Sequence, residues 1–221
     1  MTFSFPVISA DSHITEPPDC YTAHIDPAWR DRAPHMVSDD ERGDMFVIPG
    51  MSRPIAMGLV AAAGKPAEEL TVSGVSFDEL HRSGWDPNYR IADQQRDGVA
   101  AEVIYPTVGM MICNHPDADF KHAAFTAYNR WIANYCSVAP DRLLGCGQTA
   151  LRSVDEGIAD LQRIADLGLR GVMMPGEPAT WSEDGSGDYD DPMWDPFWQA
   201  AIDLGLPLSF HILTSRASAF E

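Results

Sequence analysis

Apolar positions along this chain follow two rhythms, short runs and longer stretches at helical spacing, and the two alternate regularly from residue 90 onward. Val154, Ile158, Leu161, Ile164, Ala165 and Leu167 recur at three- and four-residue steps, with Asp155, Glu156, Asp160 and Arg163 left for solvent, the pattern of an amphipathic helix. The same reading predicts helices over 91–97, 120–139, 154–167 and 194–204, and strands over 101–106, 143–150, 170–175 and 206–210. Gly98, Gly168 and Gly205 follow three of those helices, where a left-handed residue closes the helix before the next strand. A further strand, Pro6–Ala10, opens the chain. Between it and residue 90 the pattern breaks. Glu16-Pro17-Pro18, Pro49-Gly50 and Ser83 to Pro87 punctuate a stretch that predicts a long excursion of loops and short helices over 16–89.

Strands alternating with helices imply βαβ units and a parallel sheet, either a closed (β/α)₈ barrel or an open doubly wound sheet. The loop after the first strand favours the barrel: it reads Asp-Ser-His and then Glu-Pro-Pro, where a dinucleotide-binding sheet would place G-x-G-x-x-G. Gly145-Cys146-Gly147 lies inside a predicted strand and lacks the third glycine. At 45% hydrophobic and 22% charged the chain has enough apolar material for one sizeable core, so residues 1–221 read as a single domain.

Candidate chemistry sits at strand ends. The first apolar run leads straight into Asp11-Ser12-His13, and strand residues two apart point the same way, so Asp11 and His13 can face one ion. The run Leu206-Pro207-Leu208-Ser209-Phe210 ends on His211 in the same manner. Ligands at strand ends suggest a barrel mouth. Glu16, just beyond the first pair, is a candidate acceptor for His13 or substrate contact, and His115, in the loop after the next strand, is a second substrate-binding candidate. His24, His35, His81 and His122 have no strand-end placement. The acidic run from Glu183 to Asp191 misses the spacing of a calcium loop, and no G-x-S-x-G elbow is present.

Taken in order, Asp11-Ser12-His13 through Glu16-Pro17, Trp85-Asp86-Pro87 through Gly98-Val99, Glu102 to Thr107, Tyr128 to Trp131, Ala139 to Leu143, Gly171-Val172-Met173 and Leu204 to His211 resemble the amidohydrolase-related family of metal-dependent (β/α)₈ enzymes. The resemblance is to the branch that includes aminocarboxymuconate semialdehyde decarboxylase and γ-resorcylate decarboxylase. It implies that Asp11, His13 and His211 bind one divalent ion, with a further aspartate on the eighth strand that also handles the proton. Zinc or manganese suits such mixed imidazole and carboxylate ligands. The implied activity is that of a hydrolase or non-oxidative decarboxylase acting on a small carboxylated or carbonyl compound. Ten residues follow His211, whereas each strand-helix unit needs ~30. The expectation is therefore a truncated barrel of about five strands, its last three missing and the eighth-strand aspartate beyond the end. Such a chain is either an enzyme, an inactive fragment, or a subunit that completes its barrel with another chain, hence a possible homo-oligomer.

Charge and cysteine usage narrow the partners. A net charge of -18 repels nucleic acid phosphates and anionic membranes and leaves a small-molecule substrate. Cys20, Cys113, Cys136 and Cys146 show no C-x-x-C pair, which suits reduced thiols in a cytoplasm. No stretch reads as a membrane helix or a secretion signal.

Overall fold

The computed structural model describes residues 5–60, 62–182 and 184–215. Strand β1 (Val7–His13) is followed by three short strands, β2 (His35–Asp39), β3 (Gly43–Val47) and β4 (Ile55–Ala56). Helix α1 (Pro87–Asp97) leads into β5 (Val99–Tyr105), then come α2 (Val108–Ile112), α3 (Ala118–Cys136), β6 (Leu143–Gln148), α4 (Val154–Asp166), β7 (Gly171–Met174), α5 (Asp195–Leu204) and β8 (Leu208–Phe210). The main sheet is parallel throughout, in the order β1-β5-β6-β7-β8. Its neighbours in space are neighbours in the chain apart from the excursion, as successive strand-helix units require.

Local chemistry accounts for the element ends. Asp86, Asp117 and Ser153 accept backbone N–H bonds from Asn88, Phe120 and Glu156 and so cap α1, α3 and α4. Gly98 and Gly205 close α1 and α5 in the left-handed conformation that the sequence predicts there. The glycines around Cys146 serve packing. A Cβ on Gly147 would stand 2.8 Å from Ile164 Cγ1, and one on Gly145 2.9 Å from Cys136 Sγ, so their absence lets α3 and α4 close on β6.

Two readings of the sequence need correction. The excursion is not only loops and short helices: β2, β3 and β4 form an antiparallel sheet. Their brevity hid them, and the tight link between β2 and β3 comes from Asp39, whose Oδ1 accepts the N–H groups of Glu41 and Arg42. Asp160 does not face solvent. It is 5% exposed and bonds Thr149 Oγ1 at 2.7 Å, because α4 lies close enough to the sheet to bury this position. The short helix α2 is also new, being too brief to leave a periodic trace.

One core joins the excursion to the barrel units, with Tyr21, Phe46 and Ile48 in the same buried cluster as Phe120, Tyr128, Ile164, Val172 and Phe197. The main sheet is curled. In a flat sheet four strand spacings would put β1 and β8 ~19 Å apart, yet side chains at their C-terminal ends lie within hydrogen-bond range of each other. The result is a five-strand half-barrel, an incomplete (β/α)₈ barrel in which, among the described residues, β1 and β8 each pair on one side only. Val7 and Ile8 on one edge and Phe210 on the other are each more than half exposed.

Candidate metal centre

His13 is the last residue of β1 and pairs in register with Tyr105, the last residue of β5. His211 directly follows β8. The curl of the sheet brings both rings to Asp11: His13 Nε2 lies 3.4 Å and His211 Nε2 3.3 Å from Asp11 Oδ1, and the two ring centroids are 4.9 Å apart, edge to face. Asp11, His13 and His211 each offer one ligand atom, and these atoms all lie within 4.8 Å of one another.

The backbone fixes which nitrogen each ring presents. His13 Nδ1 is 2.9 Å from the carbonyl oxygen of Pro106, and His211 Nδ1 is 3.1 Å from that of Ile212. A carbonyl only accepts, so a neutral ring that bonds it carries its proton on Nδ1 and turns its Nε2 lone pair to the cluster. In that form two lone pairs and a carboxylate oxygen converge with no donor among them, whereas a ring protonated on both nitrogens donates from Nε2 to Asp11 Oδ1, 3.3 Å away for His211. Electron-rich atoms so placed repel unless a cation or an additional proton sits between them, and this donor set of two imidazoles and a carboxylate suits a divalent transition metal. Burial lowers the His13 pKa, and the neighbouring His211 ring works in the same direction against the Pro106 bond and Asp11. The neutral, ligating form of His13 is thereby favoured.

Around the cluster the chain supplies supports that the sequence alone did not single out. Tyr105 packs beside both rings, 6.0 Å from His13 and 5.4 Å from His211 between centroids, and its hydroxyl donates to Ser209 Oγ at 3.0 Å. Arg90 on α1 donates to the His13 carbonyl at 2.7 Å and pairs with Glu102. The lone glutamate in the apolar run of β5 was the available signal for that pair. The turn after His211 is tied down by three bonds. Thr214 Oγ1 donates to the His211 carbonyl, Asn114 Nδ2 to the Leu213 carbonyl, and the Gly176 N–H to the Thr214 carbonyl. Leu213 adopts a positive φ of 66°, a conformation that costs a non-glycine residue about 1–2 kcal/mol and persists here under those ties.

Glu16 and His115 stand apart from the cluster. Glu16 is 1% exposed, and its Oε1 accepts the N–H groups of Thr107 and Gly109 at 3.0 and 3.1 Å. Burial raises its pKa, against those backbone bonds. His115 Nε2 donates to the Pro49 carbonyl at 2.8 Å, while its Nδ1 accepts the Asp117 N–H. The ring lines a cavity of about 520 Å³ together with Asn114, Lys121 and Glu177, between the loops that follow β5 and β7. A second grouping, His122 with Glu156 and Asp160, has ligand-type spacing as well, but Arg152 and Arg163 already hold its two carboxylates. Residues 216–221 of the predicted tail, and Glu183 of the acidic run, lie outside the described residues.

A parallel half-barrel whose C-terminal strand ends converge an aspartate and two histidines defines the class: a barrel with a ligand-type cluster at its mouth. The chain belongs to the amidohydrolase family, whose model matches residues 11–220. It is 27% identical over 144 residues to 2-amino-3-carboxymuconate-6-semialdehyde decarboxylase of Dictyostelium discoideum, covering 65% of this chain and 38% of that protein. An amidohydrolase of Mycobacterium avium subsp. paratuberculosis shares the fold with a TM-score of 0.74 at 20% identity, over 99% of this chain and 60% of that one. So does 5-carboxyvanillate decarboxylase of Novosphingobium aromaticivorans, solved with manganese and 4-hydroxy-3-methoxy-5-nitrobenzoic acid. There the TM-score is 0.58 at 21% identity, over 99% of this chain and 53% of that one. The chain thus spans 38% of the curated relative and 53–60% of these two structures.

Proposed function

We propose that this chain carries the metal-binding half of a non-oxidative decarboxylase for a small aromatic or enoic carboxylate, with Asp11, His13 and His211 holding one divalent ion, manganese or zinc. The observation that carries the reading is the convergence of Asp11 Oδ1 and two Nε2 atoms, each ring oriented by a carbonyl on its other nitrogen. Decarboxylation rather than hydrolysis is supported by the relative from Dictyostelium, and manganese by the ligand of the Novosphingobium structure.

A divalent ion held there supplies a Lewis acid that stabilises negative charge on a substrate oxygen. The chain's own residues set the frame for that chemistry. Pro106 and Ile212 aim the two Nε2 atoms, Tyr105 packs beside the rings, and the ties at Thr214 and Asn114 hold the His211 turn. With a net charge of -18, this protein needs a local positive centre to hold an anionic substrate, and the ion provides one. The cavity lined by His115 and Lys121 is the space we assign to the substrate's remaining polar groups.

The test is metal content by elemental analysis after dialysis, on the wild type and on His13→Ala and His211→Ala. About one equivalent of manganese or zinc in the wild type, lost in both variants, is the expected result. A folded wild type that retains no ion, or variants that keep it, would overturn the assignment. Release of carbon dioxide from hydroxylated aromatic carboxylates by the loaded protein then separates decarboxylation from hydrolysis.

A further inference from the structure

Glu16 is a buried carboxyl group that the proposed chemistry leaves unused, and its position gives it another role. Beyond His13, β1 runs beside the segment that leaves β5, and three ties join the two. The Ile14 N–H donates to the Tyr105 carbonyl at 3.2 Å, Thr107 Oγ1 donates to the Ile14 carbonyl at 2.6 Å, and Glu16 Oε1 takes the N–H groups of Thr107 and Gly109. The residue between Tyr105 and Thr107 is Pro106, whose carbonyl receives His13 Nδ1. Proline has no N–H and a fixed φ, so this peptide is held from its flanks. One flank is held by the Glu16 carboxyl, where a single oxygen accepts from two backbone donors inside the protein.

We infer that Glu16 is a positioning residue for His13: by clamping Thr107 and Gly109 it sets the Pro106 carbonyl that selects the Nδ1–H form of the ring and points Nε2 at Asp11. This rests on the metal-centre reading above, and it replaces a substrate contact for Glu16 with a role one peptide removed from the ligand. Groups that orient a metal-ligating histidine through its second nitrogen typically change metal affinity about 10–100-fold when lost. Glu16 acts on such a group.

The test compares Glu16→Ala, Glu16→Asp and Glu16→Gln with the wild type by three measurements. These are manganese and zinc affinity by chelator competition, the His13 tautomer in the metal-free protein by long-range ¹⁵N–¹H NMR, and thermal unfolding. Glu16→Ala removes both bonds and is expected to weaken the ion about 10–100-fold while mixing the two tautomers of His13. Glu16→Asp is one methylene short of spanning both N–H groups and shifts both readouts the same way. It carries the test if the alanine variant does not fold. Glu16→Gln keeps an oxygen for the two donors and is expected to restore affinity and tautomer. Folded Ala or Asp variants with wild-type affinity and an intact His13 Nδ1–H signal would overturn the inference, as would a Gln variant as damaged as Ala. Failure of the metal reading shows separately, as a wild type that binds no ion. The tautomer, measured without metal, still decides the role of Glu16 in that case.

Discussion

At the residue scale the four cysteines illustrate how burial sets reactivity. Cys20, Cys113, Cys136 and Cys146 are free and buried. Burial pushes the Cys113, Cys136 and Cys146 thiols up to about 12 and holds the Cys20 thiol well above its ordinary range. A raised pKa removes the thiolate that reacts with disulfides and alkylating agents. In the native protein at pH 8 none of the four is expected to react promptly with a chromogenic disulfide, and all four should react once urea unfolds the chain. Prompt stoichiometric labelling of any of them in the folded state would contradict the packing described for β6 and α3. Hydrogen bonding separates the histidines: His13 and His211 leave Nε2 facing the cluster, whereas both ring nitrogens of His115 are engaged by backbone groups.

At the scale of elements, one side chain ties α3 to the end of β6 by hydrogen bonds. Asn129 Nδ2 donates to the Gln148 carbonyl at 2.9 Å and Asn129 Oδ1 accepts the Gln148 N–H at 2.8 Å, so a single amide satisfies both backbone groups of the residue that ends the strand. Buried backbone groups stripped of partners cost about 1–3 kcal/mol each. Asn129→Ala is accordingly expected to destabilise the fold by about 2–4 kcal/mol, read as a fall in the urea midpoint at unchanged slope. An unaltered midpoint would show that water replaces the amide at no cost. On the same helix Trp131 and Tyr135, spaced i and i+4, pack with ring centroids 5.5 Å apart and planes tilted by 34°, the packing role their spacing predicts.

At the scale of the whole molecule two sheet edges, unpaired among the described residues, compete with net charge. Val7, Ile8 and Phe210 present apolar surface beside unpaired strand edges, a template for association, while the net charge of -18 drives copies apart. Salt weakens only the second of these, shortening the screening length from about 30 Å at 0.01 M to about 3 Å at 1 M. A chain of these 221 residues is therefore expected to self-associate more strongly as salt rises, visible as an earlier size-exclusion peak or a larger mass by light scattering. A monomer at all salt concentrations would show that the edges are protected by their own twist and side chains. Among the described residues no helix is long and apolar enough to cross a membrane.

The alternation of periodic helices and short apolar runs made the parallel sheet and its strand order legible, because each unit's signal is local: a 3.6-residue rhythm, a glycine stop, a run ending on a ligand-type side chain. Asp11, His13 and His211 stood out for the same reason. The curl that carries β8 to within reach of β1 was expected only through the resemblance to barrel enzymes and not from any local signal, since closure is a property of the whole sheet and no residue encodes it alone. The supports of the cluster were hidden too. Pro106 and Ile212 act through backbone carbonyls that every residue possesses, and Glu16 looks like a loop acid until folding buries it against the N–H groups of Thr107 and Gly109. Strands β2 to β4 went unseen because two to five residues leave too short a pattern to read. Local periodicity determined the elements and nominated the ligands; long-range packing alone decided that they meet, and which nitrogen each histidine offers.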